Sequence, residues 1–193
     1  MHVITFVVFA MALGISVMML MHRCADAVPI SLPSGLLVSV TLAMVHVVLF
    51  CLGMLIGNVF RFESVVDPEE FSRSNAFVCF GLALIVAVKQ IWPYLGRKTA
   101  PLSYEINTGT VRVFFFTVAT GINGFLLAIG VGFVLPLVDY FHAVVWIFLA
   151  FFFVFSYLGI MFGRQHIVLR PRRWMLLSSV MVFVIAIAML IRG

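Results

Sequence analysis

Ala119-Thr120-Gly121-Ile122-Asn123-Gly124-Phe125-Leu126-Leu127-Ala128-Ile129-Gly130-Val131-Gly132-Phe133 is the stretch whose reading decides the fold. It opens small and polar, yet it lies inside a long apolar segment. An amide at Asn123 in that setting has no water to satisfy it, and Gly121, Gly124 and Gly130 thin the helix around it. In lipid, such a break serves close helix packing or a path for something polar. A similar stretch, Gly14-Ile15-Ser16-Val17-Met18, lies in the first apolar segment.

Composition fixes the solvent. Of 193 residues, 64% are hydrophobic and 10% charged. A soluble domain of this size cannot bury so much apolar surface, so the bilayer is the expected surrounding. The loops are too short to fold alone, which leaves one membrane domain over residues 1–193. The net charge of +5 is scattered among loops and reads as topology rather than nucleic-acid binding. Cys24, Cys51 and Cys79 show no metal or redox spacing and read as small apolar filler. The N-terminal run lacks a charged n-region and a good cleavage site, so it reads as a retained first span.

Six segments, roughly 3–21, 35–59, 75–96, 109–135, 140–162 and 174–191, are long enough to span. Pro29 and Pro33 read as breakers in the first loop. Loops one, three and five carry eight Lys and Arg residues, counting Arg112, against three on the other side (Arg61, Arg73, Arg192). The positive-inside bias predicts loops one, three and five in the cytoplasm and both termini outside. The acidic second loop, with Asp67, Glu69 and Glu70, then faces outward as a solvated face.

The chain also repeats. Leu52-Gly53-Met54-Leu55-Ile56-Gly57-Asn58 matches Leu158-Gly159-Ile160-Met161-Phe162-Gly163-Arg164 at an offset of 106, and Gly14 to Met18 falls on Ala119 to Asn123 at 105. Two halves of three spans, about 1–98 and 109–193, must insert with opposite orientation because three is odd. The expected fold is therefore all-α and polytopic, with six transmembrane helices as two inverted three-helix repeats. In transporters built this way the substrate site lies near the midplane at the repeat interface.

With these stretches, and with Ala128-Ile129-Gly130-Val131-Gly132-Phe133, the chain resembles a divergent member of the bacterial manganese efflux pump (MntP) family, a branch of the lysine-exporter-type (LysE) superfamily. The resemblance covers essentially the whole chain. It implies efflux of a divalent metal cation, Mn2+, as transported ion rather than cofactor, across a bacterial inner (plasma) membrane. It also implies an aspartate in each repeat, and those positions hold Met18 and Asn123 here. An acidic or amide residue expected early in the second span is replaced by His46, and a basic residue late in the third span corresponds to Lys89.

The residues themselves offer a neutral site. Ser16 and Thr120 hydroxyls, the Asn123 amide and carbonyls near Gly14 or Gly121 supply oxygens, with His46 adding a nitrogen. None brings negative charge, so a divalent ion there carries a desolvation cost of several kcal/mol. Met18, Met19 and His46 would suit a softer ion such as Cu+, although methionine in an apolar helix usually packs. His46 reads either as an imidazole bonded to a neighbouring hydroxyl or carbonyl, or as a ligand or proton carrier. Lys89 either snorkels to the cytoplasmic face or points inward as a gate. Asn123 is either interhelical glue or part of the path.

No paired carboxylate, activated nucleophile or phosphate loop is present, so no enzyme activity is expected. The expected function is membrane transport. The alternatives are export of a different substrate or a non-transporting accessory subunit on the same scaffold. Expected partners are the bilayer, the transported metal ion or small solute, and a second copy or another membrane protein.

Overall fold

The computed structural model describes residues 2–27, 30–61, 68–95 and 110–192. Asp67, Arg97 and Lys98, and the side chains of Glu69, Glu70, Tyr94, Arg112, Phe114, Phe115 and Phe116, lie outside the described set. Among the described residues six helices follow in chain order: α1 His2–Ala27, α2 Leu32–Val59, α3 Pro68–Leu95, α4 Thr110–Val134, α5 Leu137–Arg164 and α6 Pro171–Arg192. Five carry a stretch of at least 21 residues long and apolar enough to cross a membrane, and α4 is 25 residues long in turn. Helices are the outcome because lipid offers backbone amides no partner, so each segment must satisfy them internally.

The helices outrun the apolar segments at their ends. Pro68 opens α3 two turns before the apolar run at residue 75, and Pro171 opens α6 before Trp174. Pro33 does not break the chain but sits in the first turn of α2, behind the N-cap Ser31, whose hydroxyl accepts from Ser34 N at 3.3 Å. Proline lacks only an N–H that the first turn leaves unused, so it starts helices that hydropathy alone reads as loop.

Each helix packs on two others, and the order closes on itself: α1, α5, α2, α4, α3, α6 and back to α1. Helices α1 and α4, opposite in this ring, touch across its middle at Leu13 and Gly124. Exchanging each helix of the first half for its counterpart in the second leaves the scheme unchanged. Between lipid-soluble helices the hydrophobic effect gives little drive, so close packing at small residues holds them. Gly53 lies against Phe125 O and Ala128 Cβ, and Gly57 against Ile129 O and Gly132. Gly159 lies against Met18 O and Met21 Cβ, and Gly163 against His22 O and Ala25 Cβ. Gly121 meets Leu49, and Gly14 meets Phe155.

These two sets of contacts agree place for place, with α5 106 residues after α2 and α4 107 residues after α1. The register between α1 and α4 thus differs by two from the offset of 105 expected from the match of Gly14–Met18 with Ala119–Asn123. Gly14 corresponds to Gly121 and Ser16 to Asn123, while Met18 corresponds to Phe125. The reason is steric: backbone approach at glycines sets the register, not the likeness of flanking residues.

α2 and α5 cross antiparallel through Ser39–Ser156, His46–Phe152 and Phe50–Phe148. Phe152 is therefore core, whereas Leu36, Leu37, Val40, Met44, Val48, Leu52 and Leu55 form the exposed, lipid-side stripe of α2. More of α1 is enclosed than of α2, α3, α5 or α6.

Candidate functional site

The sequence-derived residues separate into two polar centres. In the first, His46 projects from α2 towards α4 and is 3% exposed. Its Nδ1 lies 2.9 Å from Leu42 O, which can only accept, so Nδ1 carries the proton and Nε2 is the acceptor. Thr120 Oγ1 stands 3.3 Å from Nε2 and 2.9 Å from Thr117 O. Its single proton is shared between the two. The imidazole packs on Phe152 with ring centroids 4.8 Å apart. Gly121 lies beside the ring, where a Cβ would clash with Leu49 Cδ1 and stand at an ordinary 3.9 Å from Nε2. The centre offers a hydroxyl and one ring nitrogen and no charge.

The second centre lies between α1, α3 and α6. Ser178 Oγ is 2.7 Å from Ala12 O, 2.8 Å from Gln90 Oε1 and 3.4 Å from Ser16 Oγ. The adjacent Ser179 donates to Ala87 O at 3.0 Å. Gln90 is 3% exposed, and its Nε2 is buried without a partner. The sequence reading found Ser16 but missed Gln90, Ser178 and Ser179. The available signal was an amide and two adjacent hydroxyls within apolar spans, the same signal that drew attention to Asn123.

The remaining candidates stand apart. Asn123 is half-buried on α4, next to the α1 crossing at Gly124, and its Oδ1 is buried without a partner. Met18 is buried in an apolar cluster with Met19 and Met175, against Phe155, Leu158, Phe162 and Trp174. Its thioether joins neither polar centre. Lys89 is exposed on α3 and makes no hydrogen bond or ion pair among the described residues. Nor do the described residues bring three His, Cys, Asp or Glu side chains together as a metal site.

The two ends of the helix bundle differ. At the α4–α5 turn, Asn58 donates to Gly132 O and, at 3.0 Å, to Leu135 O, while its Oδ1 accepts from Leu137 N at 2.7 Å. One side chain thus closes the Gly132 carbonyl that Pro136, having no N–H, leaves open, and two further backbone groups left unpaired where α4 ends and α5 begins. At the opposite end, Ala25, Asp26, Ile30, Ser31, Arg164 and His166 line a pocket of about 550 Å³. There His166 pairs with Asp26 at 2.7 Å and His22 Nε2 donates to Ile167 O at 2.7 Å. His166 takes a left-handed φ of 51° to turn the chain out of α5.

No protein-family model, curated protein or solved structure matches the chain.

Proposed function

We propose that the chain is a small multi-span membrane transporter of the manganese-efflux type, exporting its substrate by alternating access at the crossing of α1 and α4. The observation that carries this reading is the buried, unpartnered Asn123 Oδ1 beside that crossing. Leaving a buried acceptor unpaired costs about 1–3 kcal/mol, and a passing ligand would supply the partner. A packing scheme unchanged by exchange of the halves supports an inverted repeat, in which one arrangement of the halves can be traded for its mirror partner. The eight-to-three charge bias supports an orientation with the pocket at Asp26 and Arg164 towards the cytoplasm and the Asn58 clamp outside.

The substrate of the reading is a metal cation that would take the Asn123 Oδ1 and backbone oxygens at the crossing as ligands. The test is metal content in cells lacking their own manganese pump. Expression should lower intracellular manganese and raise tolerance to it. Unchanged manganese and unchanged tolerance would remove manganese as the substrate.

A second reading, an accessory membrane subunit that does not transport, is favoured by one observation. Met18, where the family resemblance implies a carboxylate, is sealed in an apolar cluster. Co-purification with a stoichiometric membrane partner, together with no effect on any metal, would select it.

A further inference from the structure

We propose that the pocket between the α1–α2 turn and the end of α5 binds the headgroup of an anionic phospholipid, with Arg164 holding its phosphate. Ala25, Asp26, Ile30, Ser31, Arg164 and His166 line a space of about 550 Å³. A water takes about 30 Å³ in the liquid, so the space admits a group much larger than a single ion.

The pocket lies where the other half of the chain closes itself. Arg164 follows Asn58 by 106 residues, and Ala25 precedes Gly132 by 107. Asn58 bonds Gly132 O and accepts from Leu137 N, because α5 starts behind Pro136 with no side-chain cap of its own. Helix α2 starts instead behind Ser31, whose hydroxyl accepts from Ser34 N. A guanidinium has no acceptor and could not cap a helix start as the Asn58 amide does. Arg164 is accordingly exposed and makes no hydrogen bond or ion pair with the described residues. The one carboxylate lining the pocket, Asp26, is already engaged by the Nδ1 proton of His166 at 2.7 Å. What the pocket offers is a free fork of cationic donors.

Charge and depth together narrow the occupant. The guanidinium fork matches a phosphate through two parallel bonds. The first turn of α2, which opens on the same space at Ser31, adds the positive end of its dipole. Beyond His166 the chain runs into Arg170, Arg172 and Arg173, all exposed, and Asp26 is the one acid among the described residues at this end of the bundle. Basic segments at the end of a span attract anionic lipid. The pocket sits at helix ends, which is headgroup depth. Ala25 and Ile30 give it an apolar wall, and Ile167 and Val168, next after His166, are exposed. Basic and apolar groups side by side suit an amphiphile, whereas a soluble anion gains nothing from the apolar ones. Lipid binding here does not depend on transport.

The test uses the purified full chain in a mild non-ionic detergent, with phosphatidylglycerol, phosphatidylcholine and inorganic phosphate as probes. Native mass spectrometry should show one phosphatidylglycerol retained per chain, and Tm should rise by several degrees and saturate with that lipid. Phosphatidylcholine and inorganic phosphate should do neither. Arg164→Gln should weaken phosphatidylglycerol binding about tenfold or more, the loss of a charge-assisted bond. Arg172→Gln, in the same basic run but outside the pocket lining, should weaken it less. No retained phosphatidylglycerol, an equal response to phosphatidylcholine or to inorganic phosphate, or an Arg164→Gln variant that binds as the parent does would each overturn the site. Displacement of the lipid by polyglutamate at constant ionic strength would point to an acidic protein partner and overturn the lipid assignment. Should Arg164→Gln fail to fold, phosphatidylglycerol with a photoactivatable headgroup decides on the parent: crosslinks to Ile30, Ser31 or His166 uphold the site, and crosslinks only elsewhere overturn it.

Discussion

Gly57 of α2 and Gly132 of α4 meet backbone to backbone: a Cβ on Gly57 would stand 2.9 Å from Gly132 Cα, and one on Gly132 3.0 Å from Gly57 Cα. Real Cβ atoms do not approach a neighbour so closely, and backbone cannot swing aside as a side chain can. Gly57→Ala should therefore part the helices and cost about 1–3 kcal/mol, as overpacking does. Gly163→Ala should behave alike, because His22 O, Ala25 Cβ and Asp26 N crowd the corresponding place between α5 and α1. Gly81 has nothing within 4 Å. Gly81→Ala should instead stabilise by up to about 1 kcal/mol through helix propensity. Thermal unfolding in one detergent decides, and a drop for Gly81→Ala equal to that of Gly57→Ala would contradict the contact argument.

Asn58 is expected to be the clasp of the α4–α5 turn. Asn58→Leu keeps the side-chain bulk but removes the partner of Leu137 N and of the Gly132 and Leu135 carbonyls. Each group left unpaired costs about 1–3 kcal/mol when dry, and the site is only part-buried, so the total should fall near the lower figure. Amide hydrogen exchange reads it locally: Leu137 should exchange faster in the variant while the amides of α1 stay protected. An unchanged Leu137 rate would show that the bond contributes nothing.

His46 should behave chiefly as a packed ring in stability measurements. His46→Phe keeps the contact with Phe152 and gives up the bonds to Leu42 O and Thr120, and Leu42 O also serves its own helix. A loss of about 1 kcal/mol follows, the size of one net hydrogen bond. His46→Ala empties a buried ring-sized space and should cost about 3–5 kcal/mol. Equal losses in the two variants would mean that the polar bonds, not the packing, hold α2 in place.

The extent of what sequence reveals can be read from particular residues. The six helices were legible because apolar length is a direct physical demand of the bilayer. Their ends were not, since Pro33, Pro68 and Pro171 start helices in polar sequence where hydropathy has no signal. The glycine pairs of α2 and α5 were visible as a repeat, but their partners on α4 and α1 depend on three-dimensional register. The His46–Thr120 contact joins two residues singled out separately. The Ser16 cluster was half-seen, because Gln90 and Ser178 acquire meaning only when α3 and α6 are brought to α1. Met18 enters the candidate site because it holds a position at which the resemblance implies an aspartate. Two residues along a helix turn it by about 200°, which carries its side chain into the apolar cluster with Trp174.

That rotation gives a sharp test of charge restoration. Contacts at the glycines make Ser16, not Met18, the counterpart of Asn123. A carboxylate at residue 18 would sit among Met19, Met175, Phe155 and Leu158 with no partner, and an unpaired buried charge costs several kcal/mol. Met18→Asp with Asn123→Asp should therefore express poorly or unfold at low temperature. Ser16→Asp with Asn123→Asp places one carboxylate beside the Ser178 hydroxyl and the other beside the α1 crossing, where polar groups already stand. This second pair should fold and should increase manganese export over the parent in cells without their own pump, since two carboxylates supply the charge that a divalent ion needs. The opposite ranking, with a well-folded Met18→Asp, Asn123→Asp protein as the better exporter, would show that residue 18 faces the path and that the register drawn from the glycine contacts is wrong.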